Sequence, residues 1–543
     1  MTDSPAVSQR WIQPVAAEVD ADPAVLGGKG SGLVLMRRLG LPVPPAFVIG
    51  TAACRAFLRD GRFPDGLDEE LAAAVTRLEA DTGRRLGGPV RPLVVSVRSG
   101  GAVSMPGMMS TVLNLGLTTE ATAALASETG DPRFAFDSRL RFLTSFGAAV
   151  AGLDADRLEA VAGGHGDRLD AAARAVEELI REKSASPVPD RAGEQLRAAV
   201  RAVFASWNTP RARTYRALHD IGHDAGTAVT VQAMVFGNRD GHSGTGVAYS
   251  RDPNTGERSP FGEVLIGRQG EDVVSGRSIT DPLATLGERE PAVWARLTAA
   301  LARLEGHYRD ACYVEFTFES GRLWLLQVRP GRLVGRAAVR VAVDLVGEAV
   351  IDRGEALARV SPHHLRYTST PRLAIGEGTD VLARGLGACP GVASGRVATT
   401  ADRAARMAAA GPVILVRPYT SPADMHGLAA AAGVVTARGG PASHAAVVAR
   451  SMGKPAVVGA TALTVDEAGA SVRVGGRTLA EGELVTIDGT GGEVVAGRAP
   501  VAAATTDASL HRLLAWADEV SGRTGGTDRE RLEAARERVL GGR

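Results

Sequence analysis

The chain has 543 residues, too many for one hydrophobic core, so we expect several domains. Hydrophobic residues make up 45% of it and charged residues 23%, which is typical of an ordinary globular protein. The net charge of +1 gives no reason to expect nucleic acid or a membrane surface as a partner. No apolar run reaches transmembrane length, no secretory signal pattern is evident, and the three cysteines are scattered. These features predict a cytoplasmic protein.

Lysine is scarce in this sequence. Of the 62 basic residues, three are lysines, namely Lys29, Lys183 and Lys454, and the remainder are arginines. Two of the three lie in glycine-containing segments, GGKGSG and SMGKPAVVG. A lysine kept in such a chain is a candidate for a role that needs a compact ammonium group. With so few lysines, chance placement is the alternative.

The first predicted elements surround a glycine-rich segment. LGGKGSG is predicted to form a turn before a short amphipathic helix over 33–39, and a strand follows over 47–49. Lys29 in such a turn indicates phosphate binding, because glycine lets the backbone approach an anion and a helix N-terminus favours negative charge. The alternative is an ordinary strand–helix turn with an exposed lysine.

A second segment pairs an arginine with a flexible loop. VVSVRSG is predicted to be a strand that ends near Arg98, and the loop GGAVSMPGMMS follows it. A glycine-flanked loop of this kind is suited to closing over a polyphosphate, with Arg98 neutralising charge. The alternative is a packed methionine cluster.

After a mostly helical stretch at about 118–220, strand patterns return and end in a hairpin. YVEFTFES carries Glu315, and RLWLLQVRP carries Gln327 and Arg329. Carboxylate and amide oxygens are ligands that Mg²⁺ uses when it bridges nucleotide phosphates. A solvent-facing hairpin with incidental polar residues is the alternative.

The last part of the chain contains a histidine at a predicted helix start. A helical linker is expected over 336–380, a smaller α/β unit over 381–498 and a polar helical tail over 499–543. Within the α/β unit, GGPASHAAVVARSMG places His444 in the first turn of a helix with Ser443 as N-cap. The helix dipole and free amides there favour a dianion and keep the imidazole neutral and nucleophilic. A capping or packing histidine is the alternative.

Taken together, these segments resemble pyruvate, phosphate dikinase and its relative phosphoenolpyruvate synthase over roughly residues 25–500. The resemblance is carried by LGGKGSGLVLMRRLGLPVPPAF, VVSVRSGGAVSMPGMMSTVLNLGL, WNTPRARTYR, GTAVTVQAMVFGNRDGHSGTGVAYSRDPNTGE, GEDVVSGR, VEFTFESGRLWLLQVRPG and TSPADMHGLAAAAGVVTARGGPASHAAVVARSMGKPAVVG. It implies an α/β (α+β) multidomain fold. An ATP-grasp nucleotide-binding domain over 1–335, with a helical insertion at 118–220, would precede a swivelling phosphohistidine domain over 381–498.

The resemblance also implies roles for individual residues. Those that match the family's phosphate-binding, metal-binding and catalytic positions are Lys29, Arg98, Gly246, Glu315, Gln327, Arg329 and His444. Lys29 and Arg98 would bind phosphate and act in catalysis, Glu315 and Gln327 would hold the metal, and Arg329 and Gly246 would contact phosphate. His444 would accept the β-phosphoryl group of ATP, and the nucleotide would leave as AMP. ATP and Mg²⁺ are the implied cofactors, with inorganic phosphate as a second substrate and pyruvate as the final acceptor.

Three departures from the family's pattern stand out. Tyr313 lies where an aspartate normally precedes the catalytic glutamate by two residues, which puts the metal site in question. Ala442 replaces a threonine of the dikinases, so regulatory phosphorylation of that position cannot occur. The family's pyruvate-binding barrel is not evident, because such a barrel needs at least about 200 residues. Only 43 residues follow position 500, and they resemble the barrel's lead-in segment.

The sequence therefore favours an ATP-dependent phosphotransferase that phosphorylates itself on His444. It would pass the group to pyruvate on a separate barrel-bearing partner or to another small molecule. One alternative is a degenerate, non-catalytic nucleotide-binding regulator, which Tyr313 motivates. Another is a fragment whose barrel is encoded next to it.

Overall fold

A computed structural model describes residues 11–541 except 104, 106, 185–186, 275–277, 332, 334, 366–367, 369–370, 377, 442 and 503–506. The expected consequence of Ala442 lies outside the described residues, as does part of the SMPGMM loop. The chain divides into two units, one of Met1–Val235 with Trp324–Val328 and one of Phe236–Leu323 with Arg329–Arg543. No helix within the described residues is long and apolar enough to cross a membrane.

Helices and strands are mixed throughout, which confirms the predicted fold class of a multidomain α/β protein. Among the described residues, 3₁₀ turns occur at Leu283–Thr285 and Pro422–Asp424. The α-helices are α1 Pro23–Arg38, α2 Thr51–Asp60, α3 Leu67–Thr82, α4 Thr119–Thr129, α5 Pro132–Ala149, α6 Ala155–Gly163, α7 Leu169–Lys183, α8 Ala192–Ser206, α9 Pro210–Leu218, α10 Gly270–Val274, α11 Leu286–Arg289, α12 Pro291–Tyr308, α13 Gly335–Gly347, α14 Arg353–Arg359, α15 Pro362–Leu365, α16 Ala401–Ala408, α17 Met425–Ala430, α18 His444–Met452, α19 Ala508–Ser521 and α20 Asp528–Gly541.

The strands are β1 Ile12–Pro14, β2 Ala46–Ile49, β3 Arg85–Leu86, β4 Pro92–Leu93, β5 Val95–Gly100, β6 Thr111–Leu115, β7 Ala228–Ala233, β8 Gly244–Tyr249, β9 Phe261–Ile266, β10 Asp281–Pro282, β11 Cys312–Glu319, β12 Arg322–Pro330, β13 Arg372–Leu373, β14 Val381–Arg384, β15 Leu386–Cys389, β16 Val392–Ala398, β17 Val413–Arg417, β18 Gly433–Thr436, β19 Ala456–Val458, β20 Thr464–Asp466, β21 Ser471–Val474, β22 Arg477–Ala480, β23 Leu484–Asp488, β24 Glu493–Ala496 and β25 Val501–Ala502.

The first unit is built on an antiparallel sheet with the strand order β1-β2-β7-β5-β6. Helices α4 to α9 form the chain between β6 and β7. Their apolar faces supply core residues such as Phe142, Val176 and Phe204, which pack with Val97 and Val231 of the sheet. The amphipathic α7 buries Ala172, Val176 and Ile180 at helical spacing, which is the pattern that predicts a helix on a core.

Helix α1 differs from the prediction. We expected a turn through GGKGSG and a helix only from residue 33, but helical structure already includes Lys29 and is interrupted only at Gly27. Gly27 has φ 65° and ψ 164°, and a Cβ atom there would lie 1.7 Å from the carbonyl oxygen of Gly100. Both observations require glycine at this one position. Gly30 is helical, and Val48 leaves little space for a side chain there, because Val48 Cγ2 would lie 3.0 Å from an added Cβ.

The second unit begins with the sheet β10-β9-β8-β11-β12, in which β8 pairs with both β9 and β11 in antiparallel register. The predicted hairpin is confirmed as β11 and β12. Ser320 and Gly321, both at positive φ, form its two-residue turn. Within the pairing of β8 and β11, Tyr313 lies opposite Tyr249, and Phe316 lies opposite Gly246.

The second unit also contains an eight-stranded sheet with the order β14-β24-β23-β16-β17-β18-β19-β15. Its central strands β16, β17, β18 and β19 are parallel and are joined by α16, α17 and α18. Such strands are buried on both faces, which explains the continuous apolar runs PVILV and GVVTA. The linker and tail segments pack together, because one core contains residues of α13, α19 and α20, namely Val339, Val343, Leu513, Leu514 and Leu532.

Candidate functional site

His444 is the first residue of α18, as the sequence predicts. Ser443 before it has the extended backbone of an N-cap, with φ −60° and ψ 160°, but its side chain makes no capping hydrogen bond. The Ser443 hydroxyl is buried and has no hydrogen-bond partner. Backbone N–H groups at the start of an α-helix lack intrahelical partners, so this end of α18 favours an anion.

The imidazole of His444 is oriented by a threonine that the sequence interpretation missed. Thr420 Oγ1 lies 3.1 Å from His444 Nδ1. With the proton on Nδ1, the imidazole donates to the threonine oxygen, and the lone pair of Nε2 is then free. Thr420 follows β17 in a loop that is fixed by Asp424, whose carboxylate accepts from Ser421 N at 2.8 Å. In this tautomer Nε2 is the nucleophilic atom.

Burial lowers the pKa of His444 below its usual value of 6.5, while the carboxylate of Asp424 acts in the opposite direction. The imidazole is thus neutral near pH 7, as a nucleophile must be. Desolvation is the main physical cause of this lowered pKa. Asp424 is itself paired with Arg417 at 3.2 Å, which limits its effect on the histidine.

Lys29 and the strand that carries Arg98 lie together in the first unit. The ammonium of Lys29 donates to the carbonyl oxygen of Ser99 at 2.7 Å, next to Arg98 on β5. Gly28 N also donates to Gly101 O at 2.9 Å, so the start of the helix is fixed to the end of β5. Arg98 lies opposite Thr111 and Thr230 in the sheet, and its side chain is half-buried.

The methionine loop after β5 is partly a packed cluster. Met105 and Met108 are buried against Trp207 and Ala212. The guanidinium carbon of Arg216 also lies 4.2 Å from the ring centroid of Trp207. For these methionines the structure therefore supports the packing alternative.

The remaining predicted phosphate and metal residues lie on the second sheet. Glu315 is half-buried on β11, and Gln327 and Arg329 lie on β12, which is next to β11 in the strand order. Gly246 on β8 is explained by packing, because a Cβ there would lie 2.4 Å from Glu263 O and 2.6 Å from the Phe316 ring. Across the described part of the chain, no group of three or more His, Cys, Asp or Glu residues is placed to hold a metal ion.

Tyr313, the residue that departs from the family's aspartate, is buried beside these residues. The guanidinium carbon of Arg329 lies 4.1 Å from the centroid of its ring. Burial raises the pKa of the Tyr313 phenol well above 10, and the carboxylate of Glu315 raises it further. A phenol that stays protonated is a poor metal ligand, so this position does not supply the charged oxygen that an aspartate would.

The other two lysines do not belong to a site. Lys454 donates to the carbonyl oxygens of Ala429 and Ala431, the latter at 2.6 Å, and so closes the C-terminal end of α17. Lys183 is exposed in the last turn of α7. Of the two lysines in glycine-containing segments, Lys29 is therefore the candidate site residue, and Lys454 has a structural role.

Known proteins match this chain over both of its functional regions. A family model described as "Pyruvate phosphate dikinase, AMP/ATP-binding domain" matches residues 58–295, and one described as "PEP-utilising enzyme, mobile domain" matches residues 409–492. The chain is 43% identical over 520 residues to the pyruvate, phosphate dikinase of Rhizobium meliloti (strain 1021), covering 91% of this chain and 58% of that protein.

It is 44% identical over 512 residues to pyruvate, phosphate dikinase 2 of Oryza sativa subsp. japonica, covering 91% of this chain and 58% of that protein. It is 41% identical over 514 residues to the chloroplastic pyruvate, phosphate dikinase 1 of Arabidopsis thaliana, covering 92% of this chain and 53% of that protein. The chain spans somewhat more than half the length of the curated relatives it matches.

These matches define the class first: an AMP/ATP-binding domain followed by a mobile domain of PEP-utilising enzymes. Over the region that it shares with its relatives, the chain belongs to the pyruvate, phosphate dikinase family. The resemblance drawn from the sequence motifs is therefore confirmed.

Proposed function

We propose that this protein is an ATP-dependent phosphotransferase that phosphorylates itself on His444 from the β-phosphoryl group of ATP. The observation that carries the proposal is the placement of His444. It begins a nine-residue helix, burial keeps it neutral, and its Nδ1 is hydrogen-bonded to Thr420, which leaves Nε2 available. Membership of the dikinase family supports the same chemistry.

In the proposed step, the Nε2 lone pair attacks the β-phosphorus of ATP and forms an N–P bond. The bond between the β-phosphorus and the oxygen that bridges to the α-phosphorus breaks, and AMP leaves with that electron pair. The γ-phosphoryl group then passes to inorganic phosphate or to water, which leaves a single phosphoryl group on His444. Free amides at the start of α18 stabilise its negative charge.

Lys29, Arg98 and Arg329 are the proposed phosphate-binding cations, and Gly246 is a further position that the resemblance to the family assigns to phosphate. Lys29 and Arg98 also stabilise charge that develops on the departing nucleotide. For Mg²⁺, Glu315 and Gln327 are the proposed protein ligands. One carboxylate and one amide oxygen fit an ion that keeps water and nucleotide phosphate oxygens as its other ligands. When bound, the ion neutralises phosphate charge.

We propose that the acceptor of the phosphoryl group is pyruvate held by a separate barrel-bearing partner, or another small molecule. The relatives that are longer than this chain carry the name pyruvate, phosphate dikinase, and this name supports the first choice. A cytoplasmic location is also proposed, since Cys54, Cys312 and Cys389 are free, buried thiols.

A second candidate function is a nucleotide-binding regulator without catalytic activity. Tyr313 favours it, because a buried neutral phenol replaces a charged oxygen next to Glu315. This candidate predicts ATP binding by calorimetry with no AMP formed.

The test is incubation with Mg²⁺ and ATP labelled at the β-phosphorus. We expect protein label that is stable to base and lost in acid, as an N–P bond requires, together with AMP. His444→Asn should abolish the label. The matched control is His426→Asn, an exposed histidine of the same domain that is paired with Asp402. ADP as the only nucleotide product, or equal labelling of His444→Asn, would refute the proposal.

A further inference from the structure

Two tyrosines of the second unit lie face to edge between strand β12 and the domain that carries His444. Tyr249 and Tyr313 are opposite each other on β8 and β11, with ring centroids 4.9 Å apart and ring planes at 63°. Both are buried, with 5% and 2% of their surface exposed. Arg329 lies over the Tyr313 ring at 4.1 Å.

On the other side, an arginine of the mobile domain approaches the same pair. Arg450 lies in the last turn of α18, the helix that begins at His444. Its guanidinium carbon lies 5.9 Å from the Tyr249 ring centroid, and Nη2 donates to the Tyr249 hydroxyl at 3.5 Å. The same guanidinium donates to the carbonyl oxygens of Ala388 and Pro441. It is therefore held rigidly within its own domain.

The surroundings of this contact are close-packed. Asn254 Nδ2 donates to Gly387 O at 3.1 Å, and a Cβ on Gly440 would lie 2.1 Å from Glu263 Oε2. Arg450, Tyr249 and Tyr313 are each more than nine-tenths buried. A guanidinium that is removed from water is attracted more strongly to an aromatic face than an exposed one.

We infer that the Tyr249–Tyr313 pair is the docking surface that positions the His444-bearing domain against the second sheet, with Arg450 as the docked group. Tyr313 is then a positioning residue. Its ring supports Tyr249 on one side and orders Arg329 on the other, a role that an aspartate at this place does not fill. The inference rests on the proposed function for its catalytic consequence, but the docking itself is independent of that function.

The variant Tyr313→Asp distinguishes two explanations for the tyrosine that stands where the family has an aspartate. If Tyr313 were only a missing metal ligand, Tyr313→Asp would strengthen metal-dependent labelling and leave the mobile domain where it is. If Tyr313 is a docking residue, Tyr313→Asp places a charge in a buried site beside Glu315 and removes the ring that supports Tyr249. The domain then loses its fixed position.

The test measures domain position without requiring activity. Spin labels are attached at Ser259→Cys and Thr478→Cys, which are exposed positions on the two sides, whereas the native cysteines are buried. Pulsed dipolar spectroscopy then gives the distance distribution in the full chain. Tyr249→Phe keeps the ring and is the matched control for Tyr249→Leu, which removes it.

We expect a narrow distribution for the parent and for Tyr249→Phe, and a broad one for Tyr249→Leu and Tyr313→Asp. Loss of a desolvated cation–π contact should slow His444 labelling by about tenfold in Tyr249→Leu, while its ATP dissociation constant stays unchanged. An unchanged distance distribution in both Tyr249→Leu and Tyr313→Asp would overturn the inference. If one of these variants fails to fold, the other decides. Absence of labelling in the parent would count against the proposed function alone.

Discussion

Replacing Gly27, at the start of the helix that carries Lys29, with alanine should lower the free energy of unfolding for two structural reasons. Its φ of 65° and ψ of 164° fall in a region that is essentially restricted to glycine and costs other residues about 1–3 kcal/mol. An alanine Cβ would also lie 1.7 Å from Gly100 O, far inside contact distance. The backbone must therefore shift, which adds about 1–3 kcal/mol. Gly27→Ala should thus lower the free energy of unfolding of the first unit by about 4 kcal/mol.

Gly61 provides the matched control. It also has a positive φ, 70°, but an added Cβ there meets no heavy atom within 4 Å. Gly61→Ala should cost only about 1–2 kcal/mol, the strain of the left-handed conformation alone. Urea titration, with hydrogen exchange at the amides of α1 and β5 as a local readout, measures both variants. Equal midpoints and equal exchange would refute the steric argument.

Three further predictions concern the histidine and its domain. Because the pKa of His444 is lowered and only the neutral form is nucleophilic, the pH-rate profile of labelling should have its midpoint below the ordinary histidine value of 6.5, and a midpoint above 6.5 would contradict this. Thr420→Val removes the acceptor for the Nδ1–H group of His444 and should slow labelling about fivefold, the equivalent of about 1 kcal/mol. Thr420→Ser keeps the hydroxyl and should be labelled at the normal rate. Equal labelling rates for the two variants would show that Thr420 has no such role. Lys454→Met should lower the stability of the mobile domain by about 1–3 kcal/mol through loss of its two carbonyl contacts; thermal melting that matches the parent would exclude this structural role.

The local pattern of the chain was enough to predict much of the secondary structure. Alternating and continuous apolar runs predicted β5, β11, β12 and the parallel strands of the mobile domain, because side-chain periodicity follows from strand geometry. The same local rules failed at α1. Glycine has a low helix propensity, so GGKGSG predicted a turn, but the segment is helical after Gly27 and packs Gly30 closely against Val48, a tertiary contact that no local rule reports.

The candidate site was only partly visible in the sequence. A serine followed by HAAVVARSMG predicted the helix start at His444, since the capping signal is local. Thr420 was missed because it lies 24 residues away from the histidine in sequence. A polar residue in the loop that follows a buried strand was the available signal. The contact of Tyr249 with Arg450 spans 201 residues, and no local rule reports it.

The packing partners of the C-terminal tail could not be predicted from the pattern of the tail's own residues. Residues after 500 predicted a polar helical segment, and α20 indeed has few buried residues, Leu532 and Ala535 among them. Their packing against α13 and α14 depends on chain neighbours more than 150 residues earlier. One example is Arg536, whose Nη1 donates to Leu357 O at 3.0 Å and to Val360 O at 2.7 Å. Hydrophobic pattern alone does not identify that partner.

The proposed function depends on the transfer of a phosphoryl group from ATP to His444. The most direct measurement is mass spectrometry of the tryptic peptide GGPASHAAVVAR, residues 439–450, after brief incubation with Mg²⁺ and ATP. We expect one acid-labile phosphoryl group on His444, formed in step with AMP. An unmodified peptide in a protein that binds ATP, or an acid-stable phosphate on Ser443, would contradict it.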